Sequence, residues 1–208
     1  MRRVCVFCGS SVGGRPEYRE AARALARALT RRGIGLVYGG SRVGLMYEIA
    51  ATALEAGGEV IGVIPQDLAD KEVAFTGLSD LRIVGSMHER KALMAELSDA
   101  VIALPGGTGT LDELFELMTW SHLGLHHKPV GLFDIAGYWR PLLAFLDHAV
   151  TERFLRAEHL DSLVVERSAP ALVDRLASYR HRAQDKWPQR DQVVPNTRSP
   201  ASPNPGRM

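Results

Sequence analysis

A glycine- and threonine-rich segment at residues 105–110, with the sequence PGGTGT, has the composition of an anion-binding turn. Glycines allow a backbone to approach a ligand closely, and the free N–H groups at the start of a helix attract negative charge. Thr108 and Thr110 add hydroxyl donors where a helix is predicted to begin. The segment therefore predicts a binding site for a phosphate group.

Three carboxylates, those of Asp112, Glu113 and Glu116, follow this turn on the predicted helix. Glu113 lies one turn beyond the anion-binding segment, so a phosphate bound there would leave an attached ribose within its reach. Acidic residues early in a helix also stabilise it through the helix dipole. That structural role explains Asp112 as well as a ligand does, but it explains Glu113 less well.

Arg90 and Lys91 lie near the start of the preceding predicted helix. Basic residues at that end oppose the helix dipole, which is a small local cost. A local rule that is broken beside a predicted anion site is typical of functional residues. Both residues are therefore candidates for the site.

Two other turns, Gly9-Ser10-Ser11 and Gly39-Gly40-Ser41, also follow predicted strands. In an open parallel sheet, ligands bind beyond the carboxyl ends of the strands, where such turns gather. One such turn is usually only a tight connection, but three in one sheet favour ligand binding. Ser10 and Gly40 are accordingly candidate binding residues.

The pattern of glycines restricts the class of ligand. The sequence contains no G-x-x-x-x-G-K-[ST] motif, which excludes a P-loop triphosphatase. The dinucleotide fingerprint also fails, because Asp112 stands where its third glycine should be. A mononucleotide or a sugar phosphate fits better than NAD, and no cofactor is predicted.

Short apolar runs that alternate with longer helical patterns place these residues on a fold. Such alternation predicts an α/β, Rossmann-like open sheet, mostly parallel, with helices on both faces. The strands are predicted at Val4–Phe7, Ile34–Tyr38, Val60–Ile64, Leu81–Val84, Ala100–Leu104, Val130–Phe133 and Leu163–Val165. The helices are predicted at about 16–32, 44–56, 87–97, 110–121, 141–152 and 169–182. The order of the strands in the sheet cannot be read from the sequence.

Length and composition indicate an ordinary globular protein. The 208 residues predict one domain, which we place at residues 1–183. Five of the 11 prolines fall after residue 183, and this predicts a disordered tail at residues 184–208. A net charge of +1 argues against nucleic acid or a membrane surface as a partner. No apolar run approaches about 18 residues, so we expect a soluble, cytoplasmic protein.

Two groups of potential metal ligands have poor geometry or spacing. Cys5 and Cys8 are three residues apart around a predicted strand, so their side chains would point to opposite faces. The histidines at 122, 126 and 127 lack the glutamate of an H-E-x-x-H motif. No metal site is predicted.

The segment PGGTGTLDE at residues 105–113 matches the pattern PGGxGTxxE, and SMHERK precedes it at residues 86–91. Together they resemble the LOG family, the cytokinin riboside 5′-monophosphate phosphoribohydrolases, which are also called lysine decarboxylase-like. The resemblance extends from about Val4 to about Phe154. It implies a Rossmann-like fold and hydrolysis of a nucleoside 5′-monophosphate to free base and ribose 5-phosphate. It also implies a homodimer with the site near the subunit interface.

The resemblance assigns roles to individual positions. Arg90 and Glu113 match the catalytic pair of the family. Asp112 replaces the commoner glutamate, and Thr108 stands where an aromatic residue is frequent, which leaves the substrate preference open. The positions that match the family's nucleotide site are Glu72, Lys91, Gly106, Gly107, Thr108, Gly109, Thr110, Leu111, Asp112 and Thr119.

The implied chemistry suits these residue types. Cleavage of an N-glycosidic bond builds positive charge on the ribose. The Glu113 carboxylate can stabilise this charge, or it can activate the attacking water. The departing base carries negative charge, which the Arg90 guanidinium can offset. The expected substrates are N6-prenylated adenosine monophosphate and AMP. The alternative is a non-catalytic nucleotide-binding sensor or carrier of the same fold, although binding alone does not require this pair.

Overall fold

The computed structural model describes residues 1–71 and 73–180, which form a parallel sheet of seven strands. The predicted tail at residues 184–208 and the predicted site residue Glu72 lie outside the described residues. The strands are β1 (Arg3–Phe7), β2 (Gly35–Tyr38), β3 (Val60–Pro65), β4 (Asp80–Val84), β5 (Ala100–Ala103), β6 (Val130–Phe133) and β7 (Leu163–Glu166). All seven predicted strands are confirmed.

Eight α-helices lie within the described ranges, and six of them were predicted. They are α1 (Pro16–Thr30), α2 (Gly44–Glu55), α3 (Gln66–Ala69), α4 (Met87–Glu96), α5 (Thr108–His122), α6 (Arg140–Thr151), α7 (Ala157–Asp161) and α8 (Ala169–Ala177). The short helices α3 and α7 and a 3-10 turn at Ile135–Gly137 were not predicted. The prediction that α8 continues to residue 182 was wrong. Its last turn closes where the Ser178 hydroxyl donates to the Asp174 carbonyl oxygen.

The strand order is β4-β3-β2-β1-β5-β6-β7, and every pair is parallel. The chain builds outward from β1 to β4 and then returns to place β5 on the other side of β1. The sheet therefore reverses its direction of growth between β1 and β5. In open α/β sheets, ligands bind in the crevice that this reversal opens at the carboxyl ends of the strands.

Two apolar clusters cover the two faces of the sheet. Val4 and Val6 point to the face packed by α1, α2 and α8, whereas Cys5 and Phe7 point to the face packed by α4, α5 and α6. This confirms the predicted layer of helices on each face. Cys5 and Cys8 belong to different clusters and are both buried, free thiols. Among the described residues, no group of three potential ligands has the geometry to hold a metal ion.

Helices long and apolar enough to cross a bilayer are absent from the described residues.

Candidate active site

The turns after β1 and β5 contact each other at the carboxyl edge of the sheet. The Gly9 backbone N–H donates to the Pro105 carbonyl oxygen at 3.1 Å. A Cβ at Gly106 would lie 2.9 Å from the Gly9 nitrogen and 2.1 Å from the Thr110 Oγ1. Only a glycine at position 106 permits this close approach, which brings two of the three predicted binding turns together.

A pocket of about 430 Å³ opens beside these turns. The glycine-rich turns and the start of α5 form part of its lining, and apolar side chains, which we call the apolar wall, form another part. Arg90 and Glu113 lie in the same lining. Val43, Met46, Ile64, Leu68 and Val73 form the apolar wall.

The first turn of α5 contributes the anion-binding part of the pocket. The helix begins at Thr108, directly after the glycines, and Thr108 and Gly109 are exposed to the pocket. The first backbone N–H groups of a helix have no carbonyl partner within it, and they carry the positive end of its dipole. This end of α5 therefore presents the donors that a phosphate group requires, and phosphate binding here stays a prediction.

Arg90 reaches the pocket from α4, whose start is capped. The Ser86 hydroxyl accepts a hydrogen bond from the Glu89 N–H at 3.1 Å, and the Glu89 carboxylate accepts one from the Gly85 N–H at 2.6 Å. The pair is similar to a capping box, but the Glu89 carboxylate accepts from the residue before the N-cap rather than from Ser86 itself. Both bonds stabilise the first turn of the helix. Arg90 then follows Glu89 on a rigid helix rather than on a loop.

Arg90 is buried, with only 7% of the residue exposed, and its guanidinium is held by backbone carbonyl groups. Its Nε donates to the Val63 carbonyl oxygen at 3.1 Å, and its Nη2 donates to that of Gly39 at 2.9 Å. A Cβ at position 39 would lie 1.9 Å from that Nη2. Gly39 is thus required for this placement of Arg90, a role that the sequence did not indicate.

Glu113 faces Arg90 without a close contact. Its Oε1 lies 3.9 Å from the Arg90 Nη1, which is too long for a hydrogen bond, and the residue is 8% exposed. Burial raises the pKa of Glu113 from 4.5 to about 7, the Arg90 charge lowers it, and the Asp112 charge raises it. Within the described chain, no hydrogen bond reaches this carboxylate, so it is available to a ligand and exchanges a proton near neutral pH.

The chain matches known proteins over most of its length. A family model described as "possible lysine decarboxylase" matches residues 46–176. A probable cytokinin riboside 5′-monophosphate phosphoribohydrolase of Oryza sativa subsp. japonica is 52% identical over 178 residues, which cover 86% of this chain and 78% of that protein. A cytokinin riboside 5′-monophosphate phosphoribohydrolase of Arabidopsis thaliana is 48% identical over 179 residues, with the same two coverages. The chain belongs to the LOG family.

Solved structures resemble this LOG-family chain in fold. A molybdenum cofactor binding protein from Rippkaea orientalis superposes with a TM-score of 0.65 at 20% identity, over 86% of this chain and 97% of that one. A molybdenum cofactor carrier protein from Chlamydomonas reinhardtii has a TM-score of 0.65 at 22% identity, over 86% and 99%. At such low identity these matches confirm the Rossmann-like fold and nothing more.

The LOG-family positions expected to bind nucleotide do not all lie in the pocket lining. Of the described residues, those that line it are Ser10, Gly107, Thr108, Gly109 and Thr110, together with Arg90 and Glu113. Gly40 and Gly106 belong to the turns but not to the lining, and Thr119 is exposed three turns along α5. Leu111, Asp112 and Lys91 lie on the helices that flank the pocket.

Tyr138 supports the glycine-rich turn that precedes α5. Its hydroxyl donates to the Gly106 carbonyl oxygen at 2.5 Å, and its ring meets that of Tyr18 edge to face at 5.8 Å. The bond holds the turn that precedes α5. An aromatic residue with a polar end was the available signal, but its partner is 32 positions away in the chain.

Proposed function

We propose that this LOG-family chain hydrolyses the N-glycosidic bond of N6-prenylated adenosine 5′-monophosphates, releasing the free base and ribose 5-phosphate. One observation carries the proposal. A buried guanidinium and a buried carboxylate face each other at 3.9 Å beside the glycine-rich start of α5. The relatives that share about half of the sequence are named for this reaction.

The 5′-phosphate binds at the start of α5 in this proposal. Backbone N–H groups and the Thr108 and Thr110 hydroxyls supply the donors, and Ser10 of the adjoining turn lines the same pocket. Binding energy from the phosphate, which does not react, holds the ribose C1′ in place. The apolar wall is the surface left for the base and its N6 substituent.

Glu113 is the proposed catalytic carboxylate. As the bond to the base breaks, positive charge develops on the ribose, and the carboxylate form of Glu113 stabilises it. A pKa of about 7 also suits a general base that accepts a proton from the attacking water at neutral pH. Such a base contributes on the order of 10²–10⁴-fold to a rate.

Arg90 is the proposed partner for the departing base. Its bonds to the carbonyl oxygens of Val63 and Gly39 fix the guanidinium before substrate arrives. The Nη1 group lies 3.9 Å from the Glu113 Oε1 and also contacts the Met87 sulfur at 3.7 Å. A fixed positive charge stabilises the negative charge that develops on the base as it leaves, without reorganisation during the reaction.

The decisive experiment is incubation of the purified protein with isopentenyladenosine monophosphate and with AMP, followed by chromatographic detection of free base. We expect base release by the wild type and none by Glu113→Gln or Arg90→Ala. Arg27→Ala, which removes an exposed arginine of α1, is the matched control and should be fully active. Full activity of either site variant would contradict the assigned roles. Nucleotide binding without base release by the wild type would favour a sensor or carrier.

We further propose a cytoplasmic homodimer with the site near the subunit interface. Family resemblance is the main support. Phe145 and Phe154 are 61% and 89% exposed in the single chain, and large apolar side chains left in solvent are common at subunit contacts. Two free, buried cysteines suit a reducing compartment. Light scattering of the purified protein tests the dimer, and cell fractionation tests the location.

A further inference from the structure

Lys91 joins the two helices that carry the proposed catalytic pair. Its Nζ lies 3.0 Å from the Asp112 Oδ2 and 2.9 Å from the Glu116 Oε2. Those two carboxylates are four positions apart on α5, so they lie on one face and a single ammonium reaches both. Only 5% of the Lys91 side chain is exposed. The contact therefore links α4, which carries Arg90, to α5, which carries Glu113.

The Lys91 side chain projects from a different side of α4 than the Arg90 side chain, which faces the pocket. Adjacent residues of a helix project about 100° apart. Arg90 points towards the ends of β2 and β3, whereas Lys91 points towards α5. Arg90 and Glu113 are among the described residues that line the pocket, and Lys91 is not. The ammonium donates a hydrogen bond to Asp112 and forms an ion pair with Glu116, so its charge is already compensated by two carboxylates rather than by a nucleotide phosphate.

We propose that Lys91 is a positioning residue, which fixes α5 against α4 and neutralises Asp112 and Glu116 beside Glu113, rather than a nucleotide contact. The proposal rests on the proposed function only in taking Glu113 as the catalytic carboxylate. The ion pairs also keep Lys91 charged. Burial lowers the pKa of Lys91, but the bonds to Glu116 and Asp112 outweigh burial and hold that pKa above its ordinary value.

The position of Lys91 has a measurable effect on the pKa of Glu113, because Lys91 is one of the charges around that carboxylate. The positive charges of Arg90 and Lys91 lower the pKa of Glu113, and the negative charges of Asp112 and Glu116 raise it. Loss of Lys91 would leave both neighbouring carboxylates uncompensated, so the Glu113 pKa should rise further. The described groups that act on this carboxylate or respond to it are Arg90 and Lys91 of α4, Asp112 and Glu116 of α5, and the thiols of Cys5 and Cys8.

Lys91→Met tests the proposal through the pH dependence of kcat/KM for isopentenyladenosine monophosphate. We expect the acidic limb to move up by about one pH unit. We also expect kcat at pH 7 to fall at least about fivefold, because less of Glu113 is ionised, with KM within about twofold of wild type. Lys91→Arg keeps the charge and should leave the limb in place. Arg27→Met, which removes an exposed charge, is the matched control.

Asp112→Asn is the second variant, and it should move the limb in the opposite direction. Its carboxylate raises the Glu113 pKa, so its removal lowers that pKa. Because the substrate is the same throughout, a shift of the pH profile between variants comes from ionising groups of the protein and not from the substrate. Lys91→Met with a raised KM and an unmoved limb would identify Lys91 as a nucleotide contact and overturn the proposal.

Carbon-13 NMR titration of glutamate carboxyls provides a readout that needs no activity. The Glu113 signal is assigned by its loss in Glu113→Gln, and its midpoint should rise in Lys91→Met and fall in Asp112→Asn. An unmoved midpoint in both variants would overturn the positioning role. Failure of the wild type to release base from any nucleoside monophosphate would overturn the proposed function instead, and the titration would still decide the role of Lys91.

Discussion

Glu113→Gln should stabilise the folded protein at neutral and alkaline pH while it removes the proposed activity. Burial raises the pKa of this carboxyl group from 4.5 to about 7 in the folded state. The folded chain therefore binds the proton more tightly than the unfolded chain does. Its stability falls as the pH rises from about 4.5 to about 7, and the loss is complete above that range.

The size of the effect follows from the two pKa values. The interval between 4.5 and about 7 corresponds to about 3 kcal/mol in the free energy of unfolding. Glutamine has nearly the same shape and cannot ionise. The free energy of unfolding of Glu113→Gln should therefore exceed that of the wild type by about 3 kcal/mol at pH 8, and by only about 1 kcal/mol at pH 5. A buried ionised group retained at such a cost is typical of a functional site.

Urea denaturation at pH 5, 6, 7 and 8 measures this difference. The difference in the free energy of unfolding between variant and wild type should widen through this range. In wild type, Glu113 loses its proton first in the unfolded chain and only at higher pH in the folded chain. Glu20→Gln, which removes an exposed carboxylate of α1, is the matched control and should follow wild type throughout. Equal or lower stability of Glu113→Gln at pH 8 would refute the argument that burial destabilises the Glu113 carboxylate.

Other substitutions test the supports of the site. Gly39→Ala places a Cβ against the Arg90 guanidinium, so kcat/KM for base release should fall by about 10²-fold with an unchanged circular dichroism spectrum. Tyr138→Phe removes the bond to the Gly106 carbonyl, and we expect a several-fold higher KM with about 1 kcal/mol lower stability to urea. Ser86→Ala removes the cap of α4, and calorimetry should show about 1 kcal/mol lower stability, largely restored in Ser86→Gly.

The strands were well predicted because a strand that is buried on both faces has a recognisable local sequence pattern. Val130–Phe133 has the predicted bounds, and each of the other strands differs from its prediction by one residue at one end. A parallel strand covered by helices on both sides is an uninterrupted apolar run, which any short window detects. The missed helices α3 and α7 contain only four and five residues, too few to show a helical period.

The candidate site was predicted in its parts but not in its arrangement. The PGGTGT turn and the residues Arg90 and Glu113 were found from composition, motif spacing and resemblance. Gly39 and Tyr138 were not, because Gly39 matters through the guanidinium of a residue 51 positions away and Tyr138 through a carbonyl 32 positions away. Contacts between distant segments have no local pattern that a sequence window could detect.

By itself, the sequence determined the alternation of strands and helices, the glycine-rich turn at the start of α5 and the chemical types of the proposed catalytic pair. These follow from periodicity, backbone freedom and side-chain chemistry, which act over a few residues. Only the tertiary structure decided the strand order that reverses between β1 and β5, and with it the meeting of three turns at one edge. It also decided the burial of Glu113 and the pairing of Lys91 with α5. A carboxyl group's pKa depends on every charge and apolar atom around it, and folding alone gathers those from β1, α4 and α5.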